Sequence, residues 1–403
     1  MKKILVVYNY FSTNNGSYSN RYYEFSKVWI EKGYEVEFIT SPYFKSDIES
    51  IKFFEVQYIE GIKLNVINLP DGGNKPLYKR LINSFGFVLI ASIMTLLKKY
   101  DLLICSSGPF TLGIPNLINI LFKKNGIKIF EVRDIWPQSG IEFGLIKNKI
   151  IIQISRFYEK LQYKFSDYVV TLSVGQEEYL KKNHPAFSNK IHTISQISNT
   201  ELFKIKVDEK LRKKYYTKYG KILIYIGGLG TIHNVSYWIK LCNEINTIYK
   251  EKFSMIIIGD GPDRKKLEKL KESLRLKNLF FFGQITKSKI PFWLNLSYAN
   301  LFSTTDMPIQ QTCAPNKVFD SFSAGIPLIQ TTNGWIKNYL KKTNCGISID
   351  INDVKKSSVL VSQFLNDDKK RNIQSKNSFL NSKKYEKNLI AQKYLKLIDN
   401  ENS

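Results

Sequence analysis

Cysteine and histidine are scarce in this chain, and acidic residues are outnumbered. Four cysteines, Cys105, Cys242, Cys313 and Cys345, are scattered over 403 residues with no CxxC pair. That excludes a disulfide framework and zinc-ribbon spacing, and it fits a reducing cytoplasm. Three histidines, His184, His192 and His233, are too few for a His-rich metal site. The apolar run Ser84–Leu97 falls short of the ~20 residues a spanning helix needs. The opening M-K-K-I-L-V-V has the look of a leader. Tyr8 and Asn9 cut it early and no small-residue cleavage site follows, so it reads as a first buried strand. No zinc finger, no RNP motif and no basic stripe interleaved with aromatics is present, which argues against nucleic acid. Acids number 35 against 60 lysines and arginines, a formal charge of +25. Phosphate-bearing ligands or an anionic membrane fit that balance. The lysines are spread along the chain, however, as an AT-rich coding sequence would also produce.

What is present is a repeated alternation of short apolar runs and helical segments. Length and alternation predict two α/β Rossmann-like domains facing a cleft. Residues 1–200 form the first, 201–385 the second, and 386–403 a C-terminal helix that returns toward the first. The hinge falls near residue 200, within I-S-N-T-E-L-F and before a lysine-rich stretch. Residues 366–384 are polar enough to read as a possible disordered segment.

Cys313 to Ile329, C-A-P-N-K-V-F-D-S-F-S-A-G-I-P-L-I, reads as one short helix feeding a buried strand. Pro315 suits the first helical position, Gly325 the stop, and Pro327 forbids continuation. Asn316 and Asp320 share a face and Lys317 lies beside them. The helix therefore offers an amide, a cation and a carboxylate near free N–H groups that favour an anion. Gly227-Gly228-Leu229-Gly230 follows an apolar run, Lys221–Ile226, so its backbone N–H groups can approach a diphosphate. Gly16 sits in a polar loop after the first strand; this loop is not GxGxxG, so a dinucleotide fingerprint is absent there. E-V-R-D-I-W-P ends another strand and places Asp134 where open α/β sheets bind ligands. Asp134 reads either as a base or as the cap of the turn before Trp136-Pro137. Residues 77–99 read as a buried helix, or as one whose outer face dips into an anionic leaflet between Lys79-Arg80 and Lys98-Lys99.

The blocks R-D-I-W-P and A-P-N-K-V-F-D-S-F-S-A-G-I-P-L-I resemble family 4 retaining glycosyltransferases of the bacterial O-antigen and capsule branch, near the L-fucosamine transferases. The resemblance implies the GT-B fold. It implies transfer of a sugar from a nucleotide diphosphate, by default UDP, to a glycan or polyprenyl-linked acceptor, with retention. No cofactor or essential metal is implied. Asp320 matches the acid that holds the ribose, and Gly16 the loop that faces the substrates. Gly283 and Gln284 stand where the base rests. Asp134 stands at the acceptor side. Thr312 stands where the family has a second acid facing the donor sugar. The family's phosphate-binding Arg after the glycine turn is replaced by Thr231-Ile232-His233, which leaves Lys317 to neutralise the diphosphate. Asp306 is the one acid in the loop preceding this helix. Work on lipid-linked acceptors implies a cytoplasmic protein attached peripherally to the inner face of the cell membrane. A nucleotide-sugar epimerase of the same fold and a non-catalytic subunit are the alternatives; the first lacks its carboxylates and histidines here.

Overall fold

The computed structural model describes residues 1–70, 72, 76–123, 125–205 and 207–399. Two compact units divide them. One holds Met1–Gln196, Thr312–Ala314 and the segment that starts at Lys387; the other holds Ile197–Gln311 and Pro315–Glu386. The chain thus changes unit at 196/197 rather than after 200, and residues 400–403 of the expected C-terminal helix lie outside the described residues.

Among the described residues of the first unit, eight strands form one sheet: β1 Lys3–Val7, β2 Glu35–Thr40, β3 Phe54–Ile59, β4 Ile62–Ile67, β5 Leu102–Ser106, β6 Ile127–Val132, β7 Tyr168–Thr171 and β8 Ile191–Thr193. Their order is β3-β4-β2-β1-β5-β6-β7-β8, parallel except for the β3/β4 pair. The continuous apolar runs of β1 and β5 are buried throughout from Ile4 and Leu102 onward, as a sheet covered on both faces requires. β3 and β4 are absent from the sequence-based expectation. They form a hairpin closed by Glu60 (φ 47) and Gly61 (φ 83), the two left-handed residues that a two-residue loop of this kind demands.

The helix Leu77–Leu97 has two apolar faces. Phe87, Val88 and Ala91 are buried against the first sheet, while Ile82, Phe85, Leu89, Ile93 and Leu97 are each more than half exposed. Within it, Tyr78–Leu97 is long and apolar enough to cross a membrane by length and composition, although a third of it is buried in the protein. That is longer than the run expected from sequence, because Tyr78–Asn83 continue the helix. The flanking cations are not equivalent: Lys98 is committed to Glu37 at 2.6 Å rather than directed outward.

Glu37, 1% exposed on β2, also meets Lys3 at 2.5 Å and the Asn65 amide at 2.9 Å. Burial opposes its charge, but these partners outweigh burial and hold the carboxyl down at about 2. A depressed carboxyl contributes stability that is complete above its unfolded value and fades as pH falls through the folded one. The contribution is at most about 3 kcal/mol, less whatever solvent screens. The melting temperature should therefore fall between roughly pH 4.5 and 2. Glu37→Gln should lower it at neutral pH and flatten that fall; an unchanged acid limb in the variant would remove Glu37 as a cause.

In the second unit the strands are β9 Lys221–Ile226, β10 Phe253–Ile258, β11 Leu279–Phe282, β12 Ala299–Phe302, β13 Leu328–Gln330 and β14 Gly346–Ser348. They run parallel in the order β11-β10-β9-β12-β13-β14. The chain builds outward from β9 through β10 to β11, then returns to the other side of β9 with β12. This is a topological switch point, where ligands of such sheets bind. The polar stretch expected as possible disorder is a helix, Asp368–Ser382. Its inner face is small and polar: Ser375 donates to the Gly325 carbonyl, Gln374 to Gly346 and Ser378 to Cys345. Such a face packs without any apolar period to announce it. The lysine-rich stretch after the hinge likewise contains a helix, Glu209–Tyr219, capped by Asp208.

Candidate active site

The helix Asn316–Ala324 begins one residue later than expected, with Pro315 extended at its cap (φ −74, ψ 131), and ends at left-handed Gly325 (φ 63). Val318, Phe319 and Phe322 are buried. Asp320 is buried too, 8% exposed, so it is not part of a solvated face. Its ion-pair partner is Lys287, whose ammonium lies 2.7 Å from both carboxylate oxygens. Burial pushes the Asp320 carboxyl up, while Lys287 and Lys317 pull it down. Lys287 has no sequence signal. It stands in K-S-K, one cation among many, and only the fold brings it to Asp320.

Lys317 points elsewhere. Its ammonium lies 4.0 Å from the centre of the Tyr225 ring on β9. A Cβ at Gly227 would come within 2.4 Å of that ammonium. Tyr225 is itself pinned by donating to the Gly228 carbonyl at 2.8 Å. Gly227 therefore keeps its backbone open to Lys317, and it is this glycine rather than Gly228 or Gly230 that the contact requires. A Cβ at Gly228 would meet His233 at 3.0 Å, and one at Gly230 only Pro262 at 4.0 Å. The neighbouring turn after β10 packs backbone to backbone on the same loop: Gly259 (φ 145) has no room for a side chain against the Gly227 carbonyl.

Gly283 and Gln284 follow β11 on the same edge of the sheet, and the Gly259 N–H donates to the Phe282 carbonyl at 3.3 Å. A side chain at Gly283 would meet nothing within 4 Å, so packing does not dictate that glycine. The second unit thus gathers Gly227–Gly230, Gly283, Asn316, Lys317 and Asp320 at the carboxyl ends of its strands. Thr312 belongs by its contacts to the first unit, where its carbonyl accepts from the Ser173 hydroxyl at 2.5 Å. Gly16 is also in the first unit. Its loop is tied to Asp47 through Ser12 and Thr13, and a Cβ would strike the Ser12 hydroxyl. Asp306 meets Asn352 at 3.3 Å on the surface. Asp134 keeps solvent access at a position crowded by surrounding protein; the crowding raises its carboxyl and Arg133 opposes the rise. Among the described residues no group of three or more His, Cys, Asp or Glu is placed to hold a metal ion.

Residues 207–380 match the family model described as Glycosyl transferases group 1. An uncharacterized glycosyltransferase of Methanocaldococcus jannaschii is 25% identical over 219 residues, 53% of this chain. The match covers 51% of that protein, so the chain spans about half its length. The structure resembles sucrose-phosphate synthase from Thermosynechococcus elongatus, with a TM-score of 0.76, 14% identity and 99% of both chains covered. It resembles Anabaena HepE in complex with UDP and glucose, with a TM-score of 0.72, 13% identity and 99% and 100% covered. These likenesses establish the fold as GT-B.

Proposed function

We propose that the chain is a retaining, metal-independent glycosyltransferase that moves a hexosyl or N-acetylhexosaminyl unit from a UDP-linked donor to a glycan or polyprenyl-linked acceptor. Its place is in surface polysaccharide synthesis. The observation that carries this reading is the open backbone at Gly227 facing the Lys317 ammonium at a sheet switch point. A diphosphate there meets a cation, the Gly228 and Gly230 N–H groups and the start of the helix Asn316–Ala324, while the Gly227 and Leu229 N–H groups are already donated to the Ile258 and Asp260 carbonyls. Asp320, held by Lys287, takes the ribose hydroxyls with its remaining lone pairs. The resemblance assigns Gln284 to the base, and Gly16 and Thr312 to the sugar. The bond from the anomeric carbon to the diphosphate oxygen breaks, and the acceptor oxygen joins the same face. The acceptor proton passes to the departing phosphate or to Asp134, whose raised carboxyl makes it the stronger base. The UDP complex of Anabaena HepE supports the choice of nucleotide. So does the expectation drawn from the sequence.

A thermal-shift titration tests the donor site. UDP should raise the melting temperature by mass action, and Asp320→Ala should abolish the shift while retaining a cooperative transition. No shift with any nucleoside diphosphate would overturn the reading.

The membrane part rests on the outer face of the helix Leu77–Leu97. Leu121 and Phe122, at the end of the adjoining helix Gly113–Phe122, are about three-quarters exposed, and Ile150, Ile154 and Phe157 on the helix Lys149–Phe165 are each more than 60% exposed. Lysines and arginines lie among them, which suits anionic headgroups at the cytoplasmic leaflet. The protein should co-sediment with vesicles containing anionic lipid, and Leu89→Glu with Lys99→Glu should release it. Unchanged sedimentation of that variant would return this face to an ordinary surface.

A further inference from the structure

The first sheet has its own switch point, between β1 and β5, and several buried polar atoms at its carboxyl edge have no partner among the described residues. Arg133 follows β6. Its main chain is fixed from both sides: its N–H donates to the Ser107 hydroxyl at 3.1 Å and its carbonyl accepts from the Gln176 amide at 2.8 Å. Its guanidinium lies over the Tyr8 ring at 5.0 Å, and its buried Nη1 has no hydrogen-bond partner among the described residues. None of the ion pairs among the described residues includes it, because the adjacent buried acid, Glu131, is taken by Arg21, Ser106 and Tyr394. At the carboxyl ends of β1 and β2 the Tyr8 hydroxyl, both ends of the Asn9 amide, and the Thr40 and Ser41 hydroxyls are buried and equally unpartnered among the described residues. Tyr18 lies near by, its rise in pKa opposed by Arg133.

Buried polar groups are normally satisfied, and the Arg133 Nη1 is a buried donor that is not. Several such groups at one sheet edge, next to aromatic faces, describe a site awaiting a ligand with oxygen atoms and a negative charge. We infer that the carboxyl edge of β1, β2 and β6 binds an anionic oxygen group of the acceptor, a phosphate or a sugar carboxylate, through the Arg133 guanidinium. This rests on the glycosyltransferase reading for the word acceptor, but the anion site itself does not. Arg133 is then a specificity residue: it chooses acceptors that carry charge, while Tyr8, Asn9, Thr40 and Ser41 meet the neutral hydroxyls.

The test is calorimetric titration of the full chain, first saturated with UDP, with sodium pyrophosphate in one arm and methyl glucuronide in the other. One of the two should bind, which also tells phosphate from carboxylate. Arg133→Met should weaken it by about 10- to 100-fold. Without ligand, the same variant should melt close to the wild-type temperature, because the guanidinium is only part-buried and its Nη1 donates to nothing among the described residues. Binding of neither anion by the wild type would overturn the inference. So would binding that Arg133→Met leaves intact, or a variant that melts well below wild type without changing anion affinity. If UDP itself fails to bind, the donor reading falls separately, and the dependence of pyrophosphate binding on Arg133 still decides this one.

Discussion

A Lys317→Ala variant is expected to turn over about 10²- to 10³-fold more slowly than the wild type with its fold intact. The departing diphosphate gains charge as the glycosidic bond breaks, and only groups already aimed at that charge lower the barrier. Lys317 is held ready by the Tyr225 ring 4.0 Å away and by the absence of a side chain at Gly227. Gly227→Ala should therefore imitate Lys317→Ala. Its methyl would fall within 2.4 Å of the ammonium, and the flexible end of the lysine yields more easily than the backbone. The loss should lie in kcat more than in KM if the contact tightens as the bond breaks. Wild-type turnover in Lys317→Ala would remove the lysine from the chemistry. Normal turnover in Gly227→Ala would show that the ammonium works from a second position.

The fold was legible where apolar runs are continuous and bounded by glycine or polar turns. β1, β9 and β10 are buried on both faces, so burial writes itself as unbroken hydrophobicity. The hairpin of β3 and β4 was not, because β3 is an edge strand that alternates exposed and half-buried residues. Its turn, Glu60-Gly61, lacks the usual Asn or Asp signal. The helix Asp368–Ser382 was hidden for the opposite reason: it docks through serines and a glutamine. At the site, punctuation by Pro315 and Gly325 located the helix that carries Lys317 and Asp320. The separate partners of those two residues were not legible. Lys287 reaches Asp320, and Gly227 makes room for Lys317, only through contacts between distant segments. Nothing in local spacing distinguishes either residue from its neighbours.

The largest stability effect should come from a residue outside the candidate site. Arg21, 1% exposed, donates to Glu131 at 2.5 Å and to the Ile194 and Ser195 carbonyls at 2.8 and 3.3 Å. Glu131, fully buried, also accepts from Ser106 at 2.7 Å and from the Tyr394 hydroxyl of the last helix, Lys387–Asp399. Burial works against the carboxylate, but Arg21 and Arg133 outweigh it and hold its pKa below the ordinary value. The cluster thus ties the helix Arg21–Glu31, β6, the chain after β8 and the last helix to one another; Trp29 adds a hydrogen bond to the Ala391 carbonyl at 3.0 Å. Removing one charge leaves the other buried and unpaired, so Arg21→Met or Glu131→Leu alone should cost about 3–5 kcal/mol in denaturant unfolding of the first unit. The double variant should cost clearly less than the sum, since neither member of the Arg21–Glu131 pair is left without the other and the apolar side chains fill the space. Tyr394→Phe should cost less than either single charge removal, because the other ties to Glu131 survive. Additive losses in the double variant would mean that the two charges act independently. The last helix would then be held to the first unit by its apolar contacts and by Trp29.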